Sequence, residues 1–227
     1  MTTAQILIVD DEPHIRRLLE AAVARGGYRT LAAASGREAI QLADTQAPDG
    51  ALIDLGLPDR DGIELVARFA RSGIAVIVVS ARDATAEKIA ALDLGAADYV
   101  VKPFDTDELL ARLRAALRTR SADAGQPGEL AFGDVVIDFT ARLIHRQGQE
   151  VRLAPKEYAL LELLARNAGR VVTHAQLLKS VWGPAHVHDV EYLRVAVRAI
   201  RKKLEIDPTN PQLIRNEPGV GYRLMQI

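Results

Sequence analysis

The chain has 227 residues, 48% of them hydrophobic and 26% charged, with a net charge of −1, which is ordinary for a globular protein of one large domain or two smaller ones. It contains no cysteine, which excludes a disulfide framework and a thiolate metal site. The opening MTTAQILIVDDEP lacks a basic leader region, and no apolar run approaches the roughly 18 residues of a membrane helix, so a cytoplasmic protein is expected.

The charge is unevenly spread. Residues 1–118 hold 14 Lys+Arg against 18 Asp+Glu, whereas residues 129–227 hold 14 against 11. An acidic half and a basic half point to different partners.

In the first half, QILIVDD, YRTLAAA, ALID, IAVIVVS and DYVVKPF read as short, almost wholly apolar strands. Between them the pattern predicts helices over Pro13–Arg25, Arg37–Gln46, Gly62–Arg71, Ala84–Leu94 and Thr106–Arg118. Strands buried on both faces and alternating with helices imply an α/β domain with a five-stranded, doubly wound parallel sheet. Residues 119–128, TRSADAGQPG, read as a linker.

The second half, 129–227, changes pattern. ELAFGDVVIDFTARLIHRQGQEVRL alternates around turn signals and suggests a small antiparallel sheet. Helices are expected over Pro155–Asn167, Thr173–Val181 and Val190–Leu204, followed by a hairpin in LIRNEPGVGYRLMQI. This is the pattern of an α+β winged helix-turn-helix domain.

In a parallel sheet the site forms at the carboxyl ends of the strands. Asp10 and Asp11, Asp54, Ser80 and Lys102 all fall at such ends. Clustered carboxylates repel unless a cation sits among them. Oxygen donors without Cys or His suit Mg²⁺, or Mn²⁺, which leaves room for a phosphate. Lys102 and Ser80 offer an ammonium and a hydroxyl to phosphoryl oxygens. Taken singly, Asp54 also reads as a helix cap, Ser80 as a capping hydroxyl and Lys102 as a surface lysine. Their joint occurrence at matching strand ends carries the site.

The stretches IVDDE, DLGLPDRDG, VVSARD and GAADYVVKPF, in that order and spacing, resemble the receiver domain of bacterial two-component response regulators, whose fold is flavodoxin-like. The resemblance implies that Asp54 is the phosphoacceptor for a sensor histidine kinase. It implies that Asp11, Asp54 and the Gly56 backbone carbonyl ligate the metal, with Asp10 acting through water. Ser80, Tyr99 and Lys102 would sense the phosphoryl group, Tyr99 as the aromatic that swings inward. Lys102-Pro103 matches the family's cis peptide. Asp59 and Asp61 read as solvated or helix-capping residues. The resemblance also implies a symmetric dimer face carrying Lys88, Asp93, Asp98, Glu108, Arg112 and Arg114 around apolar Ile89, Leu92 and Ala111. There Lys88 would pair with Glu108, Asp98 with Arg112 and Asp93 with Arg114 of the other copy. Ala97 departs from the commoner second Asp of the family.

On helix 190–204, Leu193, Val197, Ile200 and Leu204 form a core seam, while Arg194, Arg198 and Arg201 follow i, i+4, i+7 on an adjacent face beside Lys202. A solvated charged face is one reading. The other is a recognition helix in the major groove of double-stranded promoter DNA, with Arg215, Asn216 and Arg223 of the hairpin as backbone or minor-groove contacts. LAPKEYALLELLARNAGRVVTHAQLLKSVWG and GVGYRL resemble the OmpR/PhoB effector domain. VWGP, EYLRVAVRAIRKKLEIDP and GVGYRLM narrow the likeness to regulators of high-affinity potassium uptake. The expectation is a transcription regulator that dimerises on phosphorylation and is not itself an enzyme. The rival reading is a haloacid-dehalogenase-like phosphatase with Asp10 as nucleophile and Glu12 two residues on. It explains neither the arginine stripe nor the hairpin. A receiver that no longer takes phosphate is disfavoured, because every acidic-site residue is present.

Overall fold

The apolar segments of the first half become strands because they can be covered on both faces. In the computed structural model, which describes residues 3–122 and 128–225, β1 (Gln5–Val9), β2 (Arg29–Ala33), β3 (Gly50–Ile53), β4 (Ala75–Ser80) and β5 (Asp98–Val101) form one sheet in the order β2-β1-β3-β4-β5. All pairings are parallel. Helices α1 (Pro13–Arg25), α2 (Gly36–Gln46), α3 (Gly62–Arg71), α4 (Thr85–Asp93) and α5 (Thr106–Ala122) connect and follow the strands. This is the doubly wound, flavodoxin-like order, with its switch point between β1 and β3. Ile6, Ile8, Leu52, Ile77 and Val79 are fully or almost fully buried and pack with Leu109 and Leu113 of α5.

The chain divides into two compact units, Met1–Arg120 and Ser121–Ile227. Helix α5 runs to Ala122, past the expected end at Arg118. The residues after 118 are helix-compatible until Gly125 and Pro127, so local composition gave no stop signal where the linker was expected to start. Residues 123–127 of that expected linker lie outside the described residues.

The second unit begins with the antiparallel sheet β6 (Glu129–Phe132), β7 (Val135–Asp138), β8 (Leu143–Arg146) and β9 (Gln149–Glu150). Three helices follow, α6 (Pro155–Arg166), α7 (His174–Val181) and α8 (Val190–Leu204), around a core that includes Leu160, Leu161, Leu164, Leu177, Leu193, Val197 and Ile200. Helix α7 starts at a capping box: the Thr173 hydroxyl accepts from Gln176 N at 3.2 Å, and Gln176 Oε1 accepts from Thr173 N at 3.1 Å.

The closing hairpin of β11 (Ile214–Glu217) and β12 (Gly221–Leu224) gains a third strand, β10 (Val171–Thr173), giving the order β10-β12-β11. Sequence reading missed β10. Three residues carry no periodicity, and their pairing with Gly221–Arg223 spans some 50 positions. The close approach depends on glycine. A Cβ at Gly221 would lie 2.0 Å from the Val172 carbonyl oxygen and 2.8 Å from Thr173 Cα. Gly221→Ala is expected to cost the C-terminal unit about 1–3 kcal/mol by overpacking. Calorimetry should show its transition lowered while that of the N-terminal unit stays in place.

Candidate functional site

Register across the switch point brings the acidic residues together. Val9 lies beside Ile53, so Asp10 and Asp54 leave adjacent strands at the same level. Ser80 lies beside Val101, and Lys102 follows it. Asp10 is 0% exposed and Asp54 8%. Lys102 Nζ donates to Asp10 Oδ2 at 2.7 Å and stands 3.6 Å from Asp54 Oδ1 and 3.7 Å from Glu12 Oε1. Asp10 Oδ1 also accepts from Glu12 N at 2.9 Å.

Burial pushes the Asp10 carboxyl up, and the Lys102 hydrogen bond opposes it only in part. Lys102 is itself penalised by burial, yet Asp10 and Asp54 together hold its ammonium above the usual lysine range. One lysine thus faces three carboxylates, counting Glu12. A carboxylate oxygen from each of Asp10, Asp11 and Asp54 lies within 4.8 Å of the others. Such a set of hard oxygen donors, with no sulfur or imidazole, fits a small divalent cation.

The loop after β3 is built to present Asp54. Gly56 N donates to Asp54 Oδ2 at 3.2 Å. Gly62 packs against the loop's own backbone, where a Cβ would lie 2.4 Å from Asp54 O. Asp61 caps α3 by accepting from Ile63 N. Asp59 reaches across to α2, accepting from Gly36 N at 2.8 Å and Arg37 N at 2.9 Å. Neither faces the acidic cluster as a further ligand.

Ser80 is buried at the end of β4. Tyr99 is buried too, and its hydroxyl donates to the Arg82 carbonyl at 2.6 Å. Burial, against a hydrogen bond with Ser80, raises its pKa above the usual range. Arg82 was missed by sequence reading, because a backbone acceptor leaves no side-chain signature. The Lys102-Pro103 peptide is cis, as the resemblance implied.

The expected dimer face is partly committed within one chain. Arg112 bonds Asp98 at 2.7 Å and also Glu108 one turn earlier. Expected as partners across two copies, Asp98 and Arg112 are therefore already joined. Asp98 is buried and the pair holds β5 to α5. Asp93 and Arg114 are exposed and Lys88 is half-buried. Leu92 belongs to the core and not to this face.

In the C-terminal unit, α8 buries Leu193, Ala196, Val197, Ile200 and Leu204 and presents Arg194, Arg198 and Lys202 outward. Arg194 pairs with Glu191. Arg198 and Lys202 make no ion pair among the described residues. Lys203 turns the other way and binds Glu157 of α6 at 2.7 Å. A cleft of about 510 Å³ between α8 and the hairpin is lined by Arg194, Arg198, Arg201 and Lys202 on one side and Asn216 and Tyr222 on the other. His174 also lines it, held below its usual pKa by burial and then by Arg194.

Two sequence expectations fail here. Arg223 is 5% exposed and bound to Glu217 at 2.9 Å and to Gly169 O at 2.6 Å, so it is a buried tie of the hairpin and not a surface contact. Its neighbours on β12 are buried as well, because that strand is the centre of three. Arg201 spends its guanidinium on Ile214 O, at 3.1 and 2.7 Å. Arg215 stays exposed, bonded to Gln212, and Asn216 is exposed.

Residues 6–114 match the response regulator receiver domain, and residues 148–224 match the C-terminal domain of transcriptional regulatory proteins. The chain is 47% identical over 221 residues to the KDP operon transcriptional regulatory protein KdpE of Escherichia coli K12, covering 97% of this chain and 98% of that protein. It is 43% identical over 221 residues to the transcriptional regulatory protein KdpE of Mycobacterium tuberculosis H37Rv, covering 96% and 97%. Among solved structures, a CheY-like receiver domain protein from Methanospirillum hungatei JF-1 aligns with a TM-score of 0.52 and 27% identity, covering 54% of this chain and 99% of that one.

Asp59 allows a test of how the loop after β3 is anchored. The Gly36 N–H first, and the Arg37 N–H after it, hold its carboxyl below the usual range. A depressed pKa contributes stability above the ordinary Asp value of about 4, and that contribution is lost as pH falls through the folded value. Asp59→Asn should therefore lower the urea midpoint of the N-terminal unit at pH 7, and the gap to wild type should narrow towards pH 3. An equal gap at both would show that the charge plays no part.

Proposed function

We propose, from the premise that this chain belongs to the response regulators of OmpR/PhoB type and is a KdpE-like transcription regulator activated by phosphorylation, that Asp54 is the residue that takes the phosphoryl group. The observation that carries this reading is Lys102, bonded to Asp10 and 3.6 Å from Asp54, at the one place where β1 and β3 deliver carboxylates side by side. An Asp54 carboxylate oxygen attacks the phosphorus of a phosphohistidine on a sensor histidine kinase. The P–N bond breaks and an acyl phosphate forms. Asp11, Asp54 and the Gly56 carbonyl, with Asp10 through water, would hold Mg²⁺ or Mn²⁺, which when bound offsets phosphoryl charge. Lys102 binds a phosphoryl oxygen, Ser80 moves towards another, and Tyr99 keeps its inward position.

Dimerisation follows through the surface of α4, β5 and α5, using Lys88, Asp93, Asp98, Glu108, Arg112 and Arg114. Because Arg112 already serves Asp98 within the chain, the copy-to-copy pairs share partners with intramolecular ones. Exposed pairs contribute only about 0–1 kcal/mol each, which suits a switchable dimer. Paired C-terminal units then bind tandem half-sites of promoter DNA through Arg194, Arg198, Lys202, Arg215 and Asn216. By likeness to the KdpE proteins the kinase is KdpD-like, the targets are potassium-transport genes and the setting is the cytoplasm. No described helix is long and apolar enough to cross a membrane. The phosphatase alternative loses ground, since Asp10 is wholly buried and its carboxylate is engaged by Lys102 and Glu12 N.

Acetyl phosphate with Mg²⁺ should label wild-type protein and leave Asp54→Ala unlabelled. The labelled wild type should sediment as a dimer, and persistent labelling at another residue would sink the assignment. Arg198→Ala should weaken binding to a selected duplex by about 1–3 kcal/mol if it reads a base, and relax preference at one position of the half-site. A uniform loss across sequences would make it a phosphate contact.

A further inference from the structure

The C-terminal unit holds a buried carboxylate that DNA contact does not use. Glu205, directly after α8, is 5% exposed, pairs with no cation among the described residues and accepts only from backbone N–H groups. Its Oε1 takes Leu213 N at 3.0 Å and Ile214 N at 2.9 Å, and its Oε2 takes Gln212 N at 2.9 Å and Leu213 N at 3.1 Å. One turn earlier on the same face of α8, Arg201 donates Nε and Nη2 to the Ile214 carbonyl. The N–H and the C=O of one residue are thus both held by side chains from the end of α8 and the residue just past it.

Ile214 is where this matters most. It is the first residue of β11, an edge strand, and its outward backbone groups would otherwise face α8 unpaired. A buried carboxylate without a cation is costly unless N–H donors replace its water, and here three residues provide them. Asn216 lies two residues further along β11, and Arg198 and Lys202 lie on α8 with Arg201, just before Glu205. The spacing between the helix contacts and the hairpin contacts is therefore set at Ile214.

We propose that Arg201 and Glu205 are positioning residues that clamp the hairpin to α8, so that one duplex meets both elements at once without a separate ordering step. This rests on the reading of α8 and the hairpin as the DNA-binding elements. A hairpin ordered before binding has less conformational freedom to lose on the duplex. Glu205→Gln keeps the shape but turns half of the acceptor into a donor facing N–H groups. Arg201→Lys keeps the charge but loses the two-pronged fork.

The test uses the full chain and a duplex recovered by the wild-type protein from a random-sequence pool. In both variants, exchange of the 212–214 amides should rise about tenfold, the scale of one lost hydrogen bond to a charged group. Hydroxyl-radical protection at the hairpin's part of the duplex should disappear, while protection of guanine N7 from methylation under α8 persists. Unchanged hairpin protection with faster exchange overturns the positioning role. Equal loss of protection at both elements also overturns it, because that is the signature of general unfolding. Should Glu205→Gln fail to fold by its thermal midpoint, Arg201→Lys decides. Should the wild type retain no duplex from the pool, the DNA reading of α8 has failed, and the exchange rates alone decide whether the clamp exists.

Discussion

Asp10 has no exposed surface, and a carboxylate so placed stays ionised only where donors and positive charge reach it. Lys102 is the charge that does so, and it follows β5 while Asp10 follows β1, three strands away. That contact obliges β3 and β4, which separate them, to be in register. It also draws Asp54 and Ser80 to the same edge. The doubly wound order then supplies the crevice, since the loops after β1 and β3 part in opposite directions at the switch point. Most of what the N-terminal unit can do chemically descends from satisfying one buried charge with a distant one.

The electrostatics of that edge leave it short of positive charge. Lys102 is shared among Asp10, Asp54 and Glu12, and the burial cost on Asp10 is not fully offset. A divalent cation and a phosphoryl group are complementary additions to such a site, one balancing the carboxylates and the other accepting Lys102. Tyr99 and Arg112 anchor β5 in different ways. Tyr99 ties the strand to the loop after β4 through a neutral hydrogen bond, whereas Arg112 ties it to α5 through an ion pair. Arg112 belongs to the surface through which a second copy is proposed to bind, and Tyr99 and Asp98 both lie on β5, so the site and that surface share a strand.

The C-terminal unit solves a different problem, holding a three-stranded hairpin sheet against a cationic helix. It does so with buried polar ties: Glu205 and Arg201 on one edge strand, and Arg223 with Glu217 and Gly169 on the central one. Arginines that a helical wheel or a hairpin pattern assigns to a ligand are here divided between surface and scaffold. Arg198 and Lys202 remain outward, while Arg201 and Arg223 turn inward.

Much of this was legible in the residues. Continuous apolar runs such as ILIV and AVIVV have few fates other than strands covered on both faces, and the motifs at their ends identify the acidic edge. Asp61 as a helix cap was readable from the residues. What local spacing does not carry is non-local pairing. β10 exists because Val171–Thr173 meets Gly221–Arg223, and Asp59 finds α2 across a loop. Arg112 meets Asp98 within the chain because β5 packs near α5, and Arg201 finds a carbonyl 13 residues on. Residue type and periodicity determined which elements form and which charges they carry. Only the tertiary structure decided which of those charges face solvent, because a charged side chain takes the nearest buried partner the fold offers before it is free for a ligand.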